Sequence, residues 1–180
     1  MPTAPPPAPA PRSLYGALLR LWRLAPLPDW LRGLILWCSN QRYLIGAVGL
    51  IWDEEGRLLL ARHTYLPPPG WSLPGGWLRR GETLEAGVAR ELAEELGFIV
   101  DVGPLVAWAE LTPPRHYTFG FVCRVRAGAF QPNAEVVEIA YFPPDEAARL
   151  VPADVRPLIE MATRHRARLN GQPPPEQARA

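Results

Sequence analysis

The segment Gly76–Phe98 constrains this chain of 180 residues more than any other, because it predicts one helix with two distinct faces. It reads GWLRRGETLEAGVARELAEELGF, and the pattern predicts a helix from about Thr83 to Leu96 that stops at Gly97, a suitable C′ residue. An apolar stripe predicts the face that docks on a sheet, formed by Leu84, Val88, Leu92 and Leu96. The rest of the chain must therefore provide a sheet for this helix to cover.

The same helix carries three carboxylates on one narrow arc. At about 100° per residue, Glu91, Glu94 and Glu95 project to the same side. Each pair of like charges at this spacing repels by roughly a few tenths of a kcal/mol. Mg²⁺ or Mn²⁺ selects crowded oxygen ligands and would remove the repulsion. Arg90 and Glu82 lie close enough in sequence to orient these carboxylates, and a solvated acidic face is the alternative reading of the three glutamates alone.

The spacing of the whole segment resembles the Nudix box, with Glu82, Arg90-Glu91-Leu92, Glu94-Glu95 and Gly97-Phe98 in the matching positions. The resemblance covers roughly residues 43–169. It implies an α/β fold of the Nudix type, which is an α/β/α sandwich with a mixed sheet. It also implies a hydrolase that cuts a phosphoanhydride bond in a nucleoside diphosphate attached to another group.

The resemblance assigns roles to individual residues. The positions of Glu91, Glu94 and Glu95 bind the metal, Mg²⁺ or Mn²⁺, together with a backbone carbonyl from the turn at Gly75 or Gly76, and Arg90 orients the glutamates. The water that attacks phosphorus is activated by the metal and by a carboxylate.

The general base is left open by the resemblance, because some family members use a box glutamate and others use one from a later loop. Glu135 and Glu138 are the candidates for the second arrangement. Their structural alternatives are a solvated loop residue and a residue on the surface of a strand.

Three residues around the turn are predicted to bind substrate. Trp77 can stack on a base, and Arg79 and Arg80 can approach phosphates. Trp71 is a further stacking candidate, and a structural tryptophan is the alternative for both indoles. All 19 cationic residues are arginine, so arginine or metal must hold the phosphates.

Substrate identity is indicated only by residues beyond the box. Pro113 and Pro114 resemble a pattern associated with ADP-ribose pyrophosphatases, and Tyr117 lies near a tyrosine position associated with dinucleoside polyphosphate hydrolases. ADP-ribose or a nucleotide sugar is therefore the leading substrate. Oxidised nucleoside triphosphates and dinucleoside polyphosphates remain open, and a non-catalytic nucleotide-sensing module is the remote alternative.

The remaining pattern predicts the organisation of the chain. Residues 43–52 and 57–63 are predicted to form a β-hairpin, and three later segments to form strands: FIVDVGPLVAWAEL, HYTFGFVCRVR and VVEIAYF. A last helix is predicted over about 153–169. Before the domain at 43–170, we expect a proline-rich disordered tail over 1–12 and a helical extension over 13–42, with helices over 13–24 and 30–38 and Asp29 as cap. A second disordered tail is expected over 171–180.

Composition excludes several classes of protein. The net charge of +1 lacks the basic excess of a nucleic-acid binder. The apolar runs are shorter than the roughly 20 residues of a membrane helix, and no signal peptide is visible. Cys38 and Cys123 show neither metal-ligand spacing nor a disulfide framework, which fits a reducing cytoplasm. The apolar extension is expected to pack on the domain or on a partner subunit, for which a homodimer is one form, and interfacial binding to anionic lipid is the alternative.

Overall fold

The computed structural model of the chain describes residues 28–39, 43–112 and 115–170. The chain divides into two compact units, residues 1–42 and 43–180. In the first unit the described helix, α1, spans Asp29–Ser39, so that Asp29 lies in the first turn and not before it as a cap. The tails predicted over 1–12 and 171–180 and the helix predicted over 13–24 lie outside the described residues. The packing of the N-terminal extension stays a prediction.

No helix in the described ranges combines the length and apolar character needed to cross a membrane.

The second unit contains the predicted mixture of strands and helices. Its elements are β1 (Leu44–Ile51), β2 (Leu58–His63), β3 (Trp71–Ser72), β4 (Gly75–Trp77), α2 (Leu84–Leu96), β5 (Phe98–Leu111), β6 (His116–Gly128), β7 (Val136–Phe142), α3 (Pro144–Leu150) and α4 (Arg156–Leu169). One sheet has the order β4-β1-β6-β5 and is mixed, since β1 runs parallel to β6 and antiparallel to β4. The other sheet has the order β3-β2-β7 and is antiparallel.

The core has two parts, and strand β2 contributes side chains to one part from each of its two faces. Leu58 and Leu60 pack with residues of α3 and α4, whereas Leu59 and Ala61 pack with residues of α2. This alternation follows from the two-residue period of a strand that is buried on both sides. Helices therefore cover both sides of the strands, and the predicted α/β sandwich is confirmed.

The predicted hairpin between β1 and β2 is wrong. The turn is present, since Arg57 donates from its backbone N to Asp53 Oδ1 at 2.7 Å. However, the two strands enter different sheets and share only an isolated bridge between Trp52 and Leu58. The reason is that β4 and β6 already pair with the two edges of β1, so no edge is left for β2.

The helix α2 begins and ends where the sequence predicts. The Thr83 hydroxyl accepts a hydrogen bond from the backbone N of Ala86 at 3.2 Å, and Gly97 ends the helix in the left-handed region with φ of 69°. Leu92 packs so closely on β1 that a Cβ added at Gly49 would lie 2.7 Å from it. The caps fix the ends of the helix, and the contact of Leu92 fixes its distance from β1.

Two details at the C-terminal side differ from the prediction. The last helix begins at Arg156 and not near residue 153, and the seven-residue helix α3 precedes it. The proline-flanked sequence of α3 is too short for a periodic signal to stand out.

Candidate active site

The turn at the start of β4 brings the backbone against the acidic arc of α2. Gly75 has φ of 140°, and a Cβ at this position would collide with the Ala47 carbonyl oxygen of β1. A Cβ at Gly76 would lie 2.7 Å from the carboxylate carbon of Glu91. The two glycines therefore allow backbone and carboxylate to approach more closely than any other residue type would permit.

Arg90 holds the outer part of the arc together. Its Nε donates to Glu82 Oε1 at 2.9 Å, and its Nη1 donates to Glu91 Oε1 at 2.7 Å and to Glu94 Oε2 at 3.1 Å. Its Nη2 donates to the Trp77 carbonyl oxygen at 3.0 Å. Hydrogen bonds from Arg90 hold the pKa of Glu82 at about 2, and hydrogen bonds to Glu82 and Glu91 raise the pKa of Arg90. One guanidinium thus connects the strand end to three carboxylates.

Arg79 adds an exposed connection to the same network. Its Nη2 lies 3.0 Å from both carboxylate oxygens of Glu94, and its backbone N donates to Glu82 Oε2 at 2.9 Å. The side chains of Arg79 and Glu94 are 62% and 48% exposed. Solvent screens such a pair, so it contributes little to folding stability. Arg79 remains at the surface beside the arc, and Arg80 follows it in the same exposed turn.

Glu95 occupies a different environment, buried beneath the turn. Its Oε2 accepts a hydrogen bond from the Gly75 backbone N at 2.8 Å, and its Oε1 lies 3.7 Å from His63 Nδ1. Burial, together with the neighbouring carboxylates of Glu91 and Glu135, raises the pKa of Glu95 to about 8. A carboxylate in this position is costly unless a cation compensates its charge.

The residues present fit a hard divalent cation in their chemistry. Carboxylates on one helix arc lie against the glycine turn, and a positive charge would stabilise the ionised form of the buried Glu95. Within the described ranges, no three acidic, histidine or cysteine side chains converge on one point as a formed metal cluster. The arginines hold Glu91 and Glu94, while Glu95 turns towards Gly75.

A cavity of about 830 Å³ opens beside the glycine turn. Its aromatic lining includes Tyr65, Trp71 and Trp77, and Trp77 meets His116 edge to face with ring centroids 4.7 Å apart. The residues Pro67–Pro69 form an apolar part of the wall, and Arg149 and Asp154 bring charge to it. The cavity thus joins an aromatic, mostly apolar chamber to the turn beside the acidic arc.

The two predicted loop carboxylates lie in different surroundings. Glu138 forms an ion pair with Arg62 across β2 and β7, at 2.7 Å. Glu135 precedes β7 in an exposed loop, and its carbonyl oxygen accepts a hydrogen bond from the Thr64 backbone N at 2.9 Å. Since its charge contributes to the raised pKa of Glu95, Glu135 lies within electrostatic reach of the buried end of the arc.

The residues predicted to bind or indicate the substrate also lie in different surroundings. Trp77 lies half-exposed at the cavity, whereas Trp71 packs edge to face on Phe142 with centroids 5.0 Å apart. Tyr117 donates to Glu110 Oε2 at 3.3 Å. Pro113 and Pro114, on which the ADP-ribose pattern depends, lie outside the described residues.

His63 was not singled out as a site residue in the sequence analysis. Its side chain is 1% exposed and lies beside Glu95. The strand pattern contained a signal, because alternation places position 63 on the same face as Leu59 and Ala61, towards α2.

The α/β sandwich and the acidic arc beside the glycine turn match a class of hydrolase that acts on pyrophosphate bonds. A family model described as the NUDIX domain matches residues 42–161, so the chain belongs to the Nudix family and is a pyrophosphohydrolase. The membership of the Nudix family that the box predicts is thereby confirmed.

Known proteins agree with this assignment. A MutT-like protein from Streptomyces ambofaciens is 34% identical over 110 residues, covering 61% of this chain and 70% of that protein. An 8-oxo-dGTP diphosphatase from Proteus vulgaris is 36% identical over 85 residues, covering 46% and 76%. The solved structure of an ADP-ribose pyrophosphatase from Streptococcus suis superimposes with a TM-score of 0.55 and 28% identity, covering 68% and 93%. The chain also matches two RNA pyrophosphohydrolases, and it spans only 28% and 33% of the length of those proteins.

Proposed function

We propose that this Nudix hydrolase uses Mg²⁺ or Mn²⁺ to cut the phosphoanhydride bond of a nucleoside diphosphate linked to another moiety, with ADP-ribose or a nucleotide sugar as substrate. Nudix hydrolases act on small nucleotide derivatives, and we propose such a molecule as the partner of this site in the cytoplasm, without nucleic acid. The observation that carries the proposal is the cavity of about 830 Å³ beside the glycine turn.

The size and lining of the cavity support a substrate with two lobes. Ligand pockets commonly measure about 300–1,000 Å³, so this cavity lies in the upper part of that range. A nucleoside can use the aromatic side chains, Trp77 above all, while the group on the far side of the diphosphate occupies the remaining space. ADP-ribose, which the name of the Streptococcus suis pyrophosphatase gives as its substrate, has this shape.

The residues that would hold the metal are Glu91, Glu94 and Glu95, with a carbonyl oxygen of Gly75 or Gly76. A bound divalent cation supplies Lewis-acid polarisation of the diphosphate and stabilises negative charge on it. Arg90 keeps Glu91 and Glu94 oriented through the hydrogen bonds described above, so the ligands are arranged before the cation arrives.

The protein's own groups then complete the reaction. A carboxylate accepts a proton from the attacking water, and the candidates are a box glutamate, Glu135 and Glu138, of which Glu135 lies within electrostatic reach of Glu95. Arg79 and Arg80 lie in the exposed turn before α2, where they can neutralise phosphate oxygens. Attack at one phosphorus breaks one P–O bond of the bridge and gives a nucleoside monophosphate and a phosphorylated partner.

A nucleoside triphosphate is the second candidate substrate. The sequence identity of 36% to an 8-oxo-dGTP diphosphatase favours it, because that protein acts on a triphosphate that lacks a second lobe. Dinucleoside polyphosphates remain the third. The presence of all box carboxylates argues against a purely ligand-sensing module.

A screen of nucleotide derivatives for phosphate-bond cleavage tests class and substrate together. We expect ADP-ribose or a nucleotide sugar to give the highest kcat/KM in Mg²⁺ and no turnover in EDTA. In ¹⁸O-labelled water the label should enter a phosphate oxygen of one product. A preference for 8-oxo-dGTP would establish the second candidate. Unchanged turnover in EDTA, or label on a sugar carbon, would contradict the proposed chemistry.

A further inference from the structure

His63 is a buried polar side chain for which the proposed reaction has no role. It ends β2, its side chain is 1% exposed, and neither ring nitrogen has a hydrogen-bond partner among the described residues. Leaving such a group unsatisfied destabilises the folded state, and an apolar side chain of similar size would avoid this loss. Its presence at the centre of the core beneath the site therefore requires an explanation.

The geometry directs His63 to one box glutamate. Its Nδ1 lies 3.7 Å from Glu95 Oε1, while the other oxygen of that carboxylate accepts the Gly75 N–H at 2.8 Å. A hydrogen bond of this type measures about 2.9 Å, and rotation about the terminal torsion of a glutamate is soft. A small rotation of Glu95 therefore closes the contact without moving the backbone.

The protonation of the ring agrees with a donor role. A neutral imidazole carries one N–H, and Nδ1 can be the nitrogen that bears it. When a bound cation holds Glu95 ionised, its carboxylate is a strong acceptor for this buried N–H.

We propose that His63 is a positioning residue, which donates from Nδ1–H to Glu95 Oε1 and fixes this carboxylate in one orientation towards the divalent cation. The inference rests on the proposed function, in which Glu95 is a metal ligand. With Gly75 on one oxygen and His63 on the other, the plane of the carboxylate is determined by two donors from different strands. Donors behind a metal ligand commonly change metal affinity about 10- to 100-fold when they are removed.

The test compares His63→Leu, which removes the donor, with His63→Asn, whose amide can place an N–H near the position of Nδ1. His165→Leu on α4 is the control for loss of an imidazole elsewhere. Mn²⁺ binding to the full-length protein is measured by calorimetry without substrate, together with the melting temperature of the metal-free protein. We expect His63→Leu to weaken Mn²⁺ binding about tenfold or more, and His63→Asn to remain within about threefold of wild type.

The melting temperature separates positioning from support of the fold. Because His63→Leu replaces an unsatisfied buried polar group, the metal-free variant should melt at the same temperature as wild type or higher. Equal Mn²⁺ affinity of His63→Leu and wild type would overturn the inference. Equally weak binding by the Leu and Asn variants would also overturn it, because the donor would then be irrelevant.

Glu95→Gln distinguishes a failure of this inference from a failure of the proposed function. If Glu95→Gln binds Mn²⁺ as tightly as wild type, Glu95 is not a ligand and both proposals fall. If Glu95→Gln loses binding while His63→Leu retains it, only the role of His63 is wrong.

Discussion

Glu94 and Glu95 are consecutive residues of one helix, yet their surroundings are opposite. Glu94 is 48% exposed and paired with Arg79 and Arg90, whereas Glu95 is 4% exposed and faces a backbone N–H and His63. A helix turns by about 100° per residue, so one step carries a side chain from solvent to the core. The comparison teaches that the arc offers a metal one carboxylate already balanced by arginine and one that lacks a balancing charge.

The largest expected effect is the loss of kcat when either carboxylate is removed, and folding stability then separates the two residues. Glu95→Gln and Glu94→Gln should each lower kcat by several orders of magnitude, because each removes a charged metal ligand. Their effects on folding should differ. Near pH 8, metal-free Glu95→Gln should melt at or above the wild-type temperature, since a neutral amide replaces a buried carboxylate. Glu94→Gln should change stability by less than about 1 kcal/mol.

Steady-state kinetics in Mg²⁺ and thermal unfolding in EDTA check this contrast. A near-normal rate for Glu95→Gln would remove Glu95 from the metal site, and strong destabilisation of that variant would show that its charge serves the fold.

The second prediction extends the contrast to the carboxylates near β7. Glu135 influences the charge of Glu95, whereas Glu138 is paired with Arg62 on the strand surface. If Glu135 is the general base, Glu135→Gln should lower kcat by about 10²- to 10⁴-fold, with KM nearly unchanged. Glu138→Gln is the matched control and should stay within about threefold of wild type. The reverse order of the two variants would assign the base to Glu138, and two silent variants would assign it to the box.

A third, smaller effect concerns the arginines. Arg90 is 16% exposed and touches four acceptors, whereas Arg79 is 62% exposed. Arg90→Gln should lower kcat/KM about 10- to 100-fold, because Glu82, Glu91 and Glu94 lose their common donor. Arg79→Gln should cost less than about tenfold and act mainly on KM. The measurement is a full kinetic profile of both variants. An Arg79 variant that is the more impaired in kcat would show that the exposed pair orients the arc.

The box could be predicted from sequence because its signal is local. The start near Thr83, the stop at Gly97 and the apolar stripe all lie within one segment, and the structure reproduces each. Strand partners are not local, and the predicted hairpin was wrong because the edges of β1 are taken by β4 and β6, which follow β2 in the chain.

The same distinction explains what was missed in the site. His63 lies 32 positions before Glu95 (95 − 63 = 32), and only the meeting of β2 with α2 brings the two together. The role of arginine at the arc was predicted, since Arg90 is one turn from Glu94. Its hydrogen bond to the Trp77 carbonyl was not, because it depends on the position of β4.

The smallest expected effect is a pH dependence of folding stability that arises from the buried end of the arc. Burial raises the pKa of Glu95 from an ordinary value near 4.5 to about 8, so above pH 4.5 the folded state holds a proton that the unfolded state has released. Stability therefore falls as pH rises towards 8 and is level beyond it. His63 acts in the opposite direction, since its pKa is lowered to about 4 and its contribution rises only up to about pH 6.5. The two effects oppose each other below pH 6.5, and Glu95 acts alone between 6.5 and 8.

We expect the metal-free protein to lose about 1–2 kcal/mol of unfolding free energy across that window, at about 1.4 kcal/mol per pKa unit. Urea unfolding in EDTA at pH 6.5 and 8.0 measures the change. Glu95→Gln should abolish most of it, and saturating Mg²⁺ should also abolish it, because a metal ligand is held ionised in the folded state at both pH values, as it is in the unfolded state. Equal stability of the wild-type protein at the two pH values would show that Glu95 is already ionised in the folded state, and the contrast with Glu94 would then be one of exposure without a difference in charge.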